Sequence, residues 1–73
     1  MIFKKGEVYK HIIKEGAWNK EGTQKIDEVR EIEVLKTFKR NGRTHVKVNS
    51  KVGFGYGFVI EELNEKHQFE KLN

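Results

Sequence analysis

The sequence predicts a mainly β fold: a small barrel of four or five short antiparallel strands with at most a short C-terminal helix. Three observations carry that expectation. Runs rich in Val, Ile, Tyr and Phe are separated by breaks at Lys5-Gly6, Gly16, Gly22, Asn41-Gly42 and Asn49-Ser50. Apolar residues of the first run fall on both faces of a strand, which suits a closed or strongly bent sheet. Near the C-terminus, glycines and aromatics alternate with the period of a strand.

Residues 6–14 read as the first strand, because Val8, Tyr9, Ile12 and Ile13 are β-branched or aromatic. Residues 15–25 read as a polar loop with two glycines and a lone Trp18. That Trp can fold back as a lid on the core or stand out as a contact residue.

Residues 26–40 have two readings. As a helix, Ile26, Val29, Ile32, Leu35 and Phe38 recur every third residue, a spacing that drifts about 60° per step and builds no single stripe. As a strand, the segment precedes Asn41-Gly42, the strongest short hairpin signal. A two-residue turn there sets Arg40 opposite Arg43, Phe38 opposite His45, Lys36 opposite Lys47 and Leu35 opposite Val48. Thr37 and Leu35 would then share a buried face with Val46 and Val48. The hairpin is the reading adopted, with a short helical turn allowed between Thr23 and Val29. The alternative is an α+β fold with a helix at about 24–40.

Residues 43–49 form the return strand, with Val46 and Val48 inward and His45 and Lys47 outward. Residues 51–60 read as a further strand. Residues 61–72 could be a short helix, or a turn and a last strand through Phe69.

This pattern makes one domain of residues 1–73, and an SH3-like or OB-like barrel fits it. The opening Phe3-Lys4-Lys5-Gly6-Glu7-Val8-Tyr9 is similar to the first strand of several SH3-like barrels of the Tudor and KOW types. Charged and hydrophobic residues each make up 36% of the chain, near the disordered limit, but eight aromatics argue for a core. With no Cys there is neither a disulfide framework nor a thiolate metal site. No apolar leader precedes Lys4-Lys5, so a cytoplasmic protein is expected. The abundance of Lys, Ile and Asn fits an AT-rich genome, such as that of a low-GC bacterium or its phage.

The formal net charge of +4 is concentrated. Residues 34–60 hold six bases (Lys36, Lys39, Arg40, Arg43, Lys47, Lys51) and no acid, whereas residues 61–73 hold four acids and two bases. An uncompensated basic block attracts phosphate polymers, and also keeps a small protein soluble.

In the stretch Gly53-Phe54-Gly55-Tyr56-Gly57-Phe58, the aromatics share one strand face and the glycines the other. Exposed, the rings make a stacking platform for bases. Buried, they are the core, and the glycines supply curvature. Gly55-Tyr56-Gly57-Phe58-Val59 resembles the core of the aromatic motif of RNA-recognition domains and is similar to that of cold-shock proteins. The resemblance implies that Tyr56 and Phe58 stack on bases. Phe54 stands where that motif has Lys or Arg, and Glu61 where it has a final aromatic.

His11, His45 and His67 lie far apart, and no nucleophile elbow or phosphate-binding loop is present. The chain is therefore read as a non-enzymatic binding module without cofactor or metal. The expected ligand is DNA or RNA, held by Lys36, Lys39, Arg40, Arg43, Lys47, Lys51 and Tyr56, with Trp18, Phe54 and Phe58 as further stacking or partner contacts. The alternative is a protein-interaction module, or a phage-type inhibitor of a host protein, that docks on an acidic partner. Either could act as a monomer or as an edge-strand homodimer.

Overall fold

A computed structural model describes residues 2–73. Five antiparallel strands form one sheet: β1 (Val8–Trp18), β2 (Lys25–Arg40), β3 (Arg43–Ser50), β4 (Gly55–Val59) and β5 (His67–Lys71), in spatial order β4-β3-β2-β1-β5. A 3-10 turn (Ile60–Glu62) follows β4. Among the described residues, no helix is long and apolar enough to cross a membrane.

The sheet is open, which corrects the expected closed barrel. β4 and β5 lie at opposite ends of the strand order and share no ladder. The sheet nevertheless curls until side chains from its two edges meet: Phe58 of β4 and Phe69 of β5 have ring centroids 5.2 Å apart. Phe3 sits in this trough, edge-on to Tyr9, Phe58 and Phe69 at 5.0, 5.4 and 5.0 Å. The concave face buries Phe3, Tyr9, Ile32, Val34, Val46 and Val48, with Tyr56, Phe58, Ile60 and Phe69 packed around them. Stacking the rings in one trough lets a chain short of aliphatic residues build a core.

The hairpin at Asn41-Gly42 forms, with both residues at positive φ (52° and 75°), as a type I′ turn requires. Arg40 pairs with Arg43, Phe38 with His45, Lys36 with Lys47 and Thr37 with Val46. Leu35 does not meet Val48; Val34 does. A bulge at Leu35 absorbs one residue and reverses the facing of β2. Ile32 and Val34 thus point inward before it, whereas Lys36 and Phe38 point outward after it. This reversal explains why apolar residues fell out of phase with either period in the sequence.

The remaining departures have local causes. No helical turn lies between Thr23 and Val29, and the segment of the alternative helix is strand from Lys25 to Arg40. Residues 25–33 pair with β1 and residues 32–40 with β3, and these ladders override helix propensity. β1 runs on through Trp18, and the loop shrinks to residues 19–24, where the Asn19 side chain accepts from the Thr23 N–H at 2.9 Å. Beyond β3 and β5, the ends of β1 and β2 pair only with each other, a two-stranded arm. The strand expected at 51–60 contracts to Gly55–Val59, because Ser50 begins a tight turn closed by its carbonyl and the Gly53 N–H. Phe54 consequently lies outside the strand rather than in line with Tyr56 and Phe58. The C-terminal segment takes the turn-and-strand form through Phe69.

Candidate nucleic-acid interface

The bulge at Leu35 gathers the outer face of the β2–β3 hairpin. Cross-strand partners share a face, so Lys36, Phe38 and Arg40 of β2 stand beside Lys47, His45 and Arg43 of β3. The Phe38 and His45 rings are 5.0 Å apart and within 5° of parallel. Lys36 Nζ lies 5.4 Å from the Phe38 centroid, a cation–π contact. A stacked aromatic pair is thus bracketed by one pair of lysines and one pair of arginines. The two charged pairs lie four positions apart along the strands, about 13 Å.

Beside this ribbon runs β4. His45 pairs with Val59, Lys47 with Gly57 and Asn49 with Gly55, so the outer face of β4 carries two bare glycines. Phe38, His45, Lys47, Gly57 and Val59 line a depression of about 160 Å³ there.

The other expected contacts are distributed differently. Lys39 pairs with Thr44 and so faces away from Lys36 and Arg40, toward Glu61. Arg43 forms an ion pair with Glu62. Glu61 accepts from the Thr44 N–H at 2.7 Å and hydroxyl at 2.8 Å, bonds that hold its carboxyl below the usual range. The acidic tail therefore folds back on the hairpin tip and neutralises part of it. Lys51 is paired with Glu31 at 2.7 Å, and that bond raises the ammonium pKa. Trp18 is exposed on the arm, with Lys25 Nζ 5.5 Å from its ring.

The aromatic strand divides. Phe58 packs into the core, and Phe54 is 73% exposed. Tyr56 turns inward with its hydroxyl 3.0 Å from His11 Nδ1, while Arg30 covers its ring at 5.1 Å. Burial raises the Tyr56 pKa. Phe54 and Tyr56 border a cleft of about 490 Å³ against residues 28–31 of β2. Its charges are internally matched, Glu28 with Arg30 and Glu31 with Lys51.

His11 is the buried polar centre of the concave face, at 2% exposure. Its Nδ1 meets Tyr56 of β4, its Nε2 meets His67 Nδ1 of β5 at 3.0 Å, and its ring stacks on Phe69 at 4.3 Å. Burial first, then the nearby His67 and Arg30, lower its pKa from 6.5 to about 4. Among the described residues, no group of three or more His, Asp or Glu side chains is placed to hold a metal ion.

Sequence reasoning paired Phe38 with His45 across the turn but assigned stacking to Tyr56, Phe54 and Phe58. The available signal was the hairpin register, which places that pair between the two charged pairs. No protein-family model, curated protein or solved structure matches the chain.

Proposed function

We propose that the outer face of the β2–β3 hairpin binds nucleic acid, chiefly through phosphates and with little sequence preference. One observation carries this reading: a stacked Phe38–His45 pair lies between two directly opposed like-charge pairs. Like charges opposite one another destabilise a sheet. Lys36 with Lys47 and Arg40 with Arg43 bear that cost on a surface that also offers aromatic rings. An anionic polymer relieves the repulsion and releases counterions. Phosphate contacts fix position without reading sequence, and the rings add base contact that any base satisfies. The aromatic pair favours this partner over an acidic protein surface, which would answer the charges alone. Arg40, Lys36 and Lys47 supply most of the field, since Arg43 is shared with Glu62.

The test is a fluorescence-anisotropy titration of a labelled oligonucleotide. Replacing both Lys36 and Lys47 with Ala should weaken binding and reduce the salt slope by about 1 to 2. Lys51→Ala should change it little, because Lys51 is engaged by Glu31. Unchanged binding by the double variant, or no binding by the wild type at low salt, overturns the reading.

A further inference from the structure

We propose that Thr44, Arg43 and Lys39 form an oxyanion site at the tip of the β2–β3 hairpin, which takes a backbone phosphate of bound nucleic acid and which Glu61 and Glu62 occupy in the free protein. The inference rests on reading the hairpin as a nucleic-acid surface, and it adds a phosphate site and its control to that reading.

The site follows from where β4 stops. Ser50 donates its N–H to the Phe54 carbonyl, so the even residues of β3 turn their backbone toward β4. The last strand pair is His45 with Val59. Thr44 lies one residue beyond it, and its N–H faces that side with no β4 residue opposite. A backbone donor at the end of a ladder takes an acceptor from elsewhere. The Thr44 hydroxyl stands beside it, Lys39 is its cross-strand partner, and Arg43 precedes it in the chain. Two neutral donors and two cations are thus gathered at one exposed edge, in a stretch (residues 34–60) that contains no acid.

That edge already holds an anion. Glu61 sets one carboxylate oxygen 2.7 Å from the Thr44 nitrogen and the other 2.8 Å from its hydroxyl, with Lys39 near enough to favour the charge. Glu62 pairs with Arg43. A carboxylate and a phosphodiester both present two charged oxygens on one centre, and N–H, hydroxyl and guanidinium donors serve either. Lys39, Arg43 and both glutamates are exposed, so these contacts are weak and open at little cost. Rotation of two side chains is enough. The turn itself stays in place, because the Ile60 side chain packs against the core and its carbonyl accepts from the Leu63 N–H. Arg43 shares the outer face with Arg40, Lys36 and Lys47, so a strand laid along that face leads to the site. The released carboxylates gather cations as the phosphate sheds them, so in the wild type the site adds little to the salt dependence.

The double variant Glu61→Gln with Glu62→Gln tests this against a labelled single-stranded oligonucleotide. Its affinity should rise about tenfold at about 50 mM salt, and its salt slope should steepen by about 0.7, the worth of one further neutralised phosphate. The control, Glu65→Gln with Glu70→Gln, removes the same charge from the same acidic tail away from the hairpin tip and should gain little. Adding Thr44→Val to the first pair should erase the gain, because the hydroxyl is lost while the β-branched shape is kept. Without any variant, the Thr44 amide resonance of the wild type should shift on saturation with the oligonucleotide. An equal rise for both glutamate pairs, or no rise for the first, overturns the site while leaving the charge-based reading intact. A Thr44 amide that does not move while binding occurs overturns it as well. Absence of wild-type binding overturns both.

Discussion

His11 Nε2 and His67 Nδ1 lie 3.0 Å apart, although 56 residues separate them in sequence. With Tyr56 on its other nitrogen, His11 ties both edges of the sheet to the central part of β1. The arrangement suits a neutral His11, and Arg30 nearby opposes a further positive charge.

Stability should therefore depend on pH through His11. Its folded-state pKa is depressed, so its contribution is complete above the unfolded value of 6.5 and is lost as the pH falls toward about 4. The loss is on the order of 3 kcal/mol. His67, Tyr56, Arg30 and Glu28 are the polar groups that face it. Urea-unfolding midpoints across this range should drop for the wild type and stay flatter for His11→Gln. Glu7 titrates lower, its carboxyl held at about 2 by hydrogen bonds with Tyr9 and the Lys4 N–H. Its effect should lie between 4.5 and about 2 and survive in His11→Gln.

Phe3→Ala should be the most damaging truncation outside the strands. The ring touches Tyr9, Phe58 and Phe69 and closes the trough between the sheet's edges. A loss of about 3–5 kcal/mol is expected. Circular dichroism and urea titration would show it as a large fall in midpoint, and a change below about 1 kcal/mol would contradict the packing described.

Lys47→Glu should uncouple stability from binding. It replaces a like-charge pair with an opposite-charge pair across from Lys36, worth about 0.2–1 kcal/mol. The variant should melt slightly higher and bind nucleic acid more weakly. Lower stability with unchanged binding would oppose both halves of the argument.

Gly42→Val should cost about 1–2 kcal/mol, since Gly42 sits at φ +75° where a β-branched residue is strained. Thermal melting measures it. Nothing lies within 4 Å of a Cβ at that position, so a loss reports backbone conformation rather than a clash.

Much of the hairpin was legible because Asn41-Gly42 fixes register locally: Arg40 with Arg43 and Phe38 with His45 follow from counting outward. The bulge at Leu35 was not legible, since its only mark is an apolar pattern that breaks phase, and a helix produces the same mark. The barrel expectation captured the curvature but not the topology. Whether β4 and β5 pair depends on how far the sheet coils, which no local signal encodes. The His11–His67 contact was hidden for a similar reason: it arises only when β5 packs against β1. The inward turn of Tyr56 was not legible because alternation specifies which residues share a face but not which face is buried; the core's need for rings decides that.

On the proposed function, the outer face bearing Lys36, Lys47, Arg40 and the Phe38–His45 stack binds nucleic acid through phosphates. The salt dependence of single-strand binding tests it most directly. Between about 50 and 200 mM salt, log affinity should fall linearly against log salt concentration, with a slope of roughly −2 to −3 for three to four neutralised phosphates. A slope near zero would contradict the account.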